Sequence, residues 1–286
     1  MAAKRSTLLP FVLVSFAANS LITRHVVRRD LLDPGPLTSV RFVSGAAALL
    51  LLTFALRERP AIGRANVVPA LWLGSYAFCI SYGYQHIGAA PGTFVFYATV
   101  LVTLVAVDVR RGVAVAPRRL AGAGVALAGI GVLASGAGGT VTLLGVALLA
   151  ATGATWGLYT AAGRTTADPR VASTGNFAVF AAVLLPASAV LLSPAVDARV
   201  TAAGLAWAAV MGAGTTALAY IAWYACQRAL SATSAGTVQL AIPVLTAFGA
   251  VLLLDEDITA RLLVAAVLVA SGLWLAATSG RTHDGA

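Results

Sequence analysis

The feature that most constrains this chain is a recurrence. Apolar stretches, each about as long as a bilayer crossing, follow one another from end to end with short breaks between them. A helix needs about 20 apolar residues to cross the hydrocarbon core. The sequence predicts ten such spans, at 8–27, 36–56, 67–87, 91–109, 119–137, 142–163, 173–193, 204–225, 233–254 and 261–279. The breaks carry turn and helix-stop residues, among them Asp33-Pro34-Gly35-Pro36, Arg59-Pro60, Pro91-Gly92, Gly136 to Gly139, Asp168-Pro169 and Ser193-Pro194. The runs are too long for strands and lack the alternation of a membrane barrel. Of 286 residues, 59% are hydrophobic and 10% charged, whereas soluble domains carry about a quarter charged residues. Even large soluble folds bury only about 75% of the surface their unfolded chains expose, too little for this composition. The expected class is an all-α membrane protein.

The first stretch, Leu8 to Val27, is too long for a signal-peptide core and has no small-residue cleavage site before the next span. It reads as an uncleaved first helix. A net charge of +9 could suggest nucleic acid, but the basic residues sit in short clusters between apolar runs, as the positive-inside rule leaves them. With the N-terminus cytoplasmic, the inner segments hold Lys4, Arg5, Arg57, Arg59, Arg64, Arg110, Arg111, Arg118, Arg119, Arg164, Arg170, Arg228 and Arg281. The outer segments hold Arg28, Arg29, Arg199 and Arg261, and Arg24 and Arg41 lie inside spans. One helix more or fewer would scramble this asymmetry. It predicts an even number of spans with both termini cytoplasmic, and the high Ala and Gly content with compact loops points to a cell inner membrane. Cys79 and Cys226 fall in apolar stretches with neither metal-ligand nor disulfide spacing.

The chain also repeats itself. Ala90-Pro-Gly-Thr-Phe-Val-Phe-Tyr-Ala-Thr-Val-Leu101 is similar to Ser234-Ala-Gly-Thr-Val-Gln-Leu-Ala-Ile-Pro-Val-Leu245, at a constant offset of 144. Arg41-Phe42 aligns with Asn176-Phe177, each early in the second span of its half. Two five-span halves follow, 1–140 and 141–286. Five is odd, so the halves must run in opposite orientations, which is a transporter signature with the substrate site near the midplane.

At these residues the chain resembles the drug/metabolite transporter superfamily, in its ten-helix branch with two EamA-type repeats. The resemblance rests on Trp156-Gly-Leu-Tyr159 followed by Arg164, on Thr216-Ala-Leu-Ala-Tyr220, on Ala235-Gly-Thr through Pro243-Val-Leu closing on Asp255-Glu256, and on the Gly-rich fifth span with a similar tenth. It departs from the pattern in having Thr99 where the second half has Pro243, and Phe16 where span six has Trp156. The first span also lacks the glutamate that four-helix drug-efflux relatives use to exchange protons for cations. The resemblance implies a helical bundle around a central cavity lined mainly by spans 1, 3, 4, 6, 8 and 9, with spans five and ten peripheral. It implies cargoes such as amino acids, other metabolites, nucleotide sugars or phosphorylated sugars.

Polar groups at membrane depth cost several kcal/mol without partners, so each asks for a reason. Arg41 reads either as a fixed cation for a carboxylate or phosphate or as an arginine that snorkels to headgroups. Asn19, in mid-span, reads as helix–helix glue or as cavity lining. Gln239 lies four residues before Pro243, where a missing backbone donor can free a carbonyl, and is a candidate ligand contact. Pro243 and His86 are candidates for gating or coupling, while Arg24 and His25 read as interfacial anchors. Among the aromatics, Tyr97, Trp156, Tyr159 and Tyr220 are expected to line the site, and Tyr76, Tyr82, Tyr84, Phe96, Trp223 and Tyr224 divide between lining, belt and packing. Trp72, Trp207 and Trp274 read as lipid-facing. Gly122, Gly124, Gly129, Gly131 and Gly272 are expected to allow close helix approach. Asp255, Glu256 and Asp257 are expected to pair with Arg261, cap the tenth helix or bind a cation.

No phosphate-binding loop, Ser-His-Asp set, paired carboxylates or metal-ligand cluster is present in the sequence. The expected function is a carrier, not an enzyme, working by alternating access without cofactor. An amino acid or similar amphipathic metabolite is the expected exported cargo, moved by facilitated or exchange flux. A carrier of anionic phosphorylated or nucleotide-linked solutes is the rival within the class. A membrane-embedded enzyme and a channel are the rivals outside it. The expected partners are a small-molecule substrate and membrane lipid, with no nucleic acid, in a monomer or weak homodimer.

Overall fold

A computed structural model describes residues 8–112, 115–134, 141–163, 166, 168–195, 197–227, 239 and 241–277. Among these residues the chain is helical throughout, with no strand beyond two isolated bridges. Ten helical elements follow one another: α1 (Leu8–Arg28), α2 (Pro34–Ala55), α3 (Val67–His86), α4 (Ala89–Arg110), α5 (Pro117–Ala134), α6 (Leu143–Gly163), α7 (Pro169–Leu191), α8 (Ala202–Gln227), α9 (Ala241–Leu254) and α10 (Ala260–Ala277). Nine of them match the predicted spans within a few residues; α9 ends where the ninth span is predicted to end, and the first part of that span, 233–238, lies outside the described residues. Six of them are long and apolar enough to cross a membrane by length and composition, and α9 and the greater part of α10 are shorter apolar helices.

Local chemistry sets the helix starts. Pro34 and Pro169 lie in the first turns of α2 and α7, where a missing N–H costs nothing. Asp168 accepts hydrogen bonds from the backbone N–H groups of Arg170 and Val171 at 2.8 and 3.2 Å. Thr142, Thr201 and Thr259 cap α6, α8 and α10 in the same way, accepting from Gly145, Gly204 and Leu262 at 3.0, 3.0 and 3.1 Å. The tenth helix is therefore capped by Thr259, and Glu256 of the acidic group before it is used elsewhere.

The connections sort by parity, as an up-and-down bundle requires. Leu32, between α1 and α2, bridges Val200, between α7 and α8. Ile87, between α3 and α4, bridges Val141, before α6. Glu256, after α9, reaches the start of α4. These segments form one face. On the other, Glu58 after α2 pairs with Arg170 at the start of α7, and Asp108 near the end of α4 pairs with Arg119 of α5.

The core packs α3 and α4 against α6, and α1 against α8 and α9, while α2 packs against α7 and α8. The α5–α10 pair leans on this group mainly through α4. Close approach there rests on particular glycines. A Cβ at Gly129 would lie 2.8 Å from Val269, and one at Gly272 would lie 2.6 Å from the backbone nitrogen of Ala126. Gly124 and Gly131 face open space instead, so they do not serve the contact expected of them.

Helix α8 changes pitch midway. Met211–Leu218 is a π-helical turn, a wide geometry that concentrates at functional sites. It pushes the backbone of Gly212 against the Arg41 carbonyl and the Ser44 side chain.

Candidate functional site

At mid-bundle, rings converge from four helices. Phe16 of α1, Tyr76 of α3, Trp156 of α6 and Tyr220 of α8 are all buried. Trp156 lies 5.5 Å from Phe16, 5.2 Å from Tyr76 and 4.8 Å from Tyr220 between ring centroids. These four, with Asn19, Ser20, Ile80, Phe96 and Tyr97, line a cavity of about 10 Å³, room for roughly one water. The rings have closed on one another.

The ring pairs are ordered by the internal repeat. Phe16 and Trp156, aligned in the sequence, meet edge to face. Phe42 and Phe177, aligned as well, meet at 5.3 Å. Tyr76 and Tyr220 lie 144 residues apart, the offset of the fourth and ninth spans, and face each other at 6.5 Å.

A polar wall stands behind the rings. Asn19 donates to the Thr215 carbonyl at 2.7 Å and accepts from the Thr215 and Thr216 hydroxyls at 2.8 and 3.2 Å. Arg41 is fully buried. Its Nε donates to the Thr216 hydroxyl at 2.8 Å and its Nη2 to the Tyr76 hydroxyl at 3.2 Å. The guanidinium lies 5.0 and 5.7 Å from the Phe42 and Tyr76 ring centroids, within cation–π range. It makes no salt bridge among the described residues, and its Nη1 has no hydrogen-bond partner there. Arg41 does not snorkel.

The two faces differ. One carries adjoining cavities of about 300 and 430 Å³ that share Ala65, Asn66, Thr166 and Ala172. The smaller reaches inward to Asn176 and Tyr224. Tyr224 stacks on Tyr159 at 5.4 Å, and Tyr159 on Trp156 at 5.6 Å. A column of three rings thus separates this vestibule from the central cavity. Asn176 steadies it, donating to the Tyr159 hydroxyl at 3.4 Å and accepting from Asn66 at 2.9 Å.

The opposite face is latched. Arg24 is buried, donates to Glu256 at 3.3 Å and to the Tyr84 carbonyl at 2.6 Å. Glu256 also accepts from the N–H groups of Ala89 and Ala90 at 2.9 and 3.3 Å, where the positive end of α4 favours a carboxylate. Arg28 donates to the Leu254 carbonyl. Arg24 is therefore not an interfacial anchor, and Glu256 caps the fourth helix, not the tenth.

The EamA-like transporter family matches residues 143–278. An uncharacterised protein of Pseudomonas aeruginosa is 37% identical over 277 residues, covering 95% of this chain and 94% of its own length. This chain belongs to the EamA-like transporter family. It is a multi-pass membrane protein of a family of small-solute transporters. A solved crystal structure shares the fold, with a TM-score of 0.68 at 20% identity over 96% of this chain and 97% of its own.

Of the residues singled out in the sequence, Asn19, Tyr97, Trp156 and Tyr220 line the central cavity. Tyr159 stands between cavity and vestibule. Gln239 is buried at 5% exposure but does not line the cavity, and no described residue of α9 does either. The expectation that the ninth span contributes lining is not met among the described residues, because α9 packs its buried face on α1 and α4. Pro243 is buried in the first turn of described α9. His86 ends α3 on the latched face, where its carbonyl accepts from Thr142, away from the cavity. Phe16, Ser20 and Ile80 line the cavity without having been singled out for it, and Tyr76 and Phe96, left open between lining, belt and packing, line it too. The offset of 144 from Tyr76 to Tyr220 was the available signal.

Proposed function

We propose that this transporter moves a small amphipathic metabolite by alternating access, with an amino acid as the favoured cargo and export as its direction. The observation that carries the reading is the contrast across the bundle: a vestibule on one face, a latch on the other, and a closed aromatic cavity midway. Aromatic rings with polar tips suit a solute that is apolar at one end and polar at the other. Two inverted five-helix halves, 1–140 and 141–286, would rock around this cavity. Support comes from aligned residues that touch each other, Phe16 with Trp156 and Phe42 with Phe177, since equivalent positions meet at a two-fold axis.

The lining includes Asn19, Tyr97, Trp156 and Tyr220, and among the described residues it holds no carboxylate. Facilitated or exchange flux fits this better than carboxylate-based proton coupling. The positive charges of the vestibule-side segments support a cytoplasmic vestibule and cytoplasmic termini in an inner membrane. A monomer or weak homodimer suffices for such a site.

The test is uptake of a labelled amino-acid panel into proteoliposomes, with and without a pH gradient. Saturable flux that needs no gradient and falls at least tenfold in Trp156→Ala is expected, since the indole meets three other lining rings and its loss removes packing worth about 3–5 kcal/mol. Folded protein that carries no amino acid would remove the cargo assignment.

A further inference from the structure

We infer that Tyr76 and Arg41 together form an anion anchor, so that the cargo carries a carboxylate. The inference rests on the carrier reading and names the substrate class of its site. A guanidinium is charged at any physiological pH. Burying one without a counter-charge is costly enough that buried charges are paired or bind an ion. Arg41 is fully buried in mid-bundle, yet every acidic side chain in a described ion pair belongs to another base: Glu256 to Arg24, Asp108 to Arg119, Glu58 to Arg170, Asp30 to Arg199. The counter-charge of Arg41 is thus absent from the described protein.

The hydrogen-bond directions say where it would sit. The Thr216 hydroxyl accepts from Arg41 and passes its own proton to Asn19. That branch ends within the wall, because the proton is received by the Asn19 side-chain oxygen, which also accepts from Thr215. The Tyr76 oxygen accepts from Arg41 Nη2, so its proton must point away from the guanidinium. The Tyr76 ring lines the central cavity and faces Tyr220 across it. A phenol that accepts from a cation is a strengthened donor. The Trp156 ring N–H and the Tyr220 hydroxyl also lack partners at the cavity, but beside the charge two donors remain for a ligand, the Tyr76 proton and Arg41 Nη1, and a carboxylate has two oxygens to receive them. With a single guanidinium, the anchor suits a monoanion better than a phosphate dianion.

Arg41 also distinguishes the two halves. Its aligned residue is Asn176, which meets only Asn66 and Tyr159 in the hydrogen bonds described. The charge is on one side of the site, which fixes the orientation of the cargo: the carboxylate toward α2 and α3, the apolar part toward Trp156 and Phe16.

The experiment uses the full chain and matched pairs of acid and amide: acetate with acetamide, 3-phenylpropionate with 3-phenylpropionamide, and indole-3-acetate with indole-3-acetamide. Thermal unfolding in detergent and counterflow in proteoliposomes are read for the wild type, Tyr76→Phe, Arg41→Lys and Arg41→Met. At least one acid is expected to stabilise and exchange roughly tenfold or more better than its amide. Tyr76→Phe, which keeps the ring packing, narrows that preference, Arg41→Lys keeps part of it, and Arg41→Met abolishes it. Without ligand, Arg41→Met is expected to melt no lower than wild type, since it removes an uncompensated buried charge. Equal response to acid and amide, or an acid preference that survives Arg41→Met, overturns the anchor and leaves the carrier standing. Saturable flux of neither acids, amides nor amino acids, from protein that unfolds cooperatively, overturns the carrier reading itself.

Discussion

The two faces of this bundle are closed by different chemistry, and the difference shows which one holds the observed state. On the latched face a buried ion pair, Arg24–Glu256, is tied to backbone at two helix ends, the last turn of α3 and the first of α4. On the vestibule face, closure toward the cavity rests on stacked rings, Trp156, Tyr159 and Tyr224, with single hydrogen bonds at 3.3 and 3.4 Å. Directional charged bonds in a dry site give a sharp two-state contact. Stacked rings slide and separate at lower cost, typically about 0.5–1.5 kcal/mol per pair beyond their buried area. On the proposed alternating-access mechanism, the latch therefore sets the conformational balance and the ring column is the lighter gate.

The largest change should come from breaking the latch. In Glu256→Gln, Arg24 keeps its burial and loses its counter-charge, and α4 loses a charged cap. Breaking a buried pair on one side costs about 3–5 kcal/mol, or more than about 100-fold in the closed-to-open ratio. With Cys79 and Cys226 replaced by alanine, a cysteine at Ser20, which lines the cavity at 1% exposure, should react with a membrane-impermeant maleimide much faster in this variant. An unchanged labelling rate would mean that Glu256 serves only as a helix cap.

The sequence made the spans legible because bilayer crossing imposes a length and a composition that local reading can detect. Nine of the ten helices lie within a few residues of their predicted places, and the described part of the ninth lies inside its predicted span. The latch was illegible for the opposite reason. Arg24 and Glu256 are 232 residues apart, and nothing local to either end marks the other. Arg261, only five residues from Glu256, was the obvious partner by proximity along the chain and the wrong one in space. Arg41 was visible as a charge inside a span, but its two readings were separated only by its contacts. Tyr76 looked like any other aromatic in an apolar run. Gln239 shows the limit of repeat reasoning: it marks asymmetry with Val95, yet does not line the central cavity.

A smaller effect is expected from crowding the latch while leaving its charges in place. Gly88 precedes α4 with φ −62° and ψ 160°, a conformation alanine adopts freely. A Cβ there would lie 2.8 Å from Glu256 Oε2 and 3.2 Å from Oε1. The carboxylate must shift by a few tenths of an ångström, against bonds that hold it on both sides. Overpacking of this kind costs about 1–3 kcal/mol, offset in part by the lower unfolded-state entropy of alanine, about 0.4–1 kcal/mol. Gly88→Ala should therefore raise Ser20→Cys labelling by less than Glu256→Gln does. A larger rise than in Glu256→Gln would mean that packing, not charge, closes this face.

The smallest effect belongs to the ring column and tests whether the two closures are separate. Tyr224 donates to the Tyr159 carbonyl at 3.3 Å while its ring stacks on the Tyr159 ring. Tyr224→Phe removes the bond and keeps the stack, a loss of about 0.5–1.5 kcal/mol. On the alignment of Phe16 with Trp156, Thr160 is the counterpart of Ser20, and it too is buried, at 2% exposure. The two positions are matched reporters, one in each half. In Tyr224→Phe, a cysteine at Thr160 should label about 2–10-fold faster from the vestibule face, while one at Ser20 should not gain. In a carrier whose faces open in alternation, loosening one closure shifts population away from states in which the other is open. Ser20 should, if anything, become slower to label. A parallel rise at both positions would describe a bundle that loosens as a whole, and that outcome is incompatible with alternating access through this cavity.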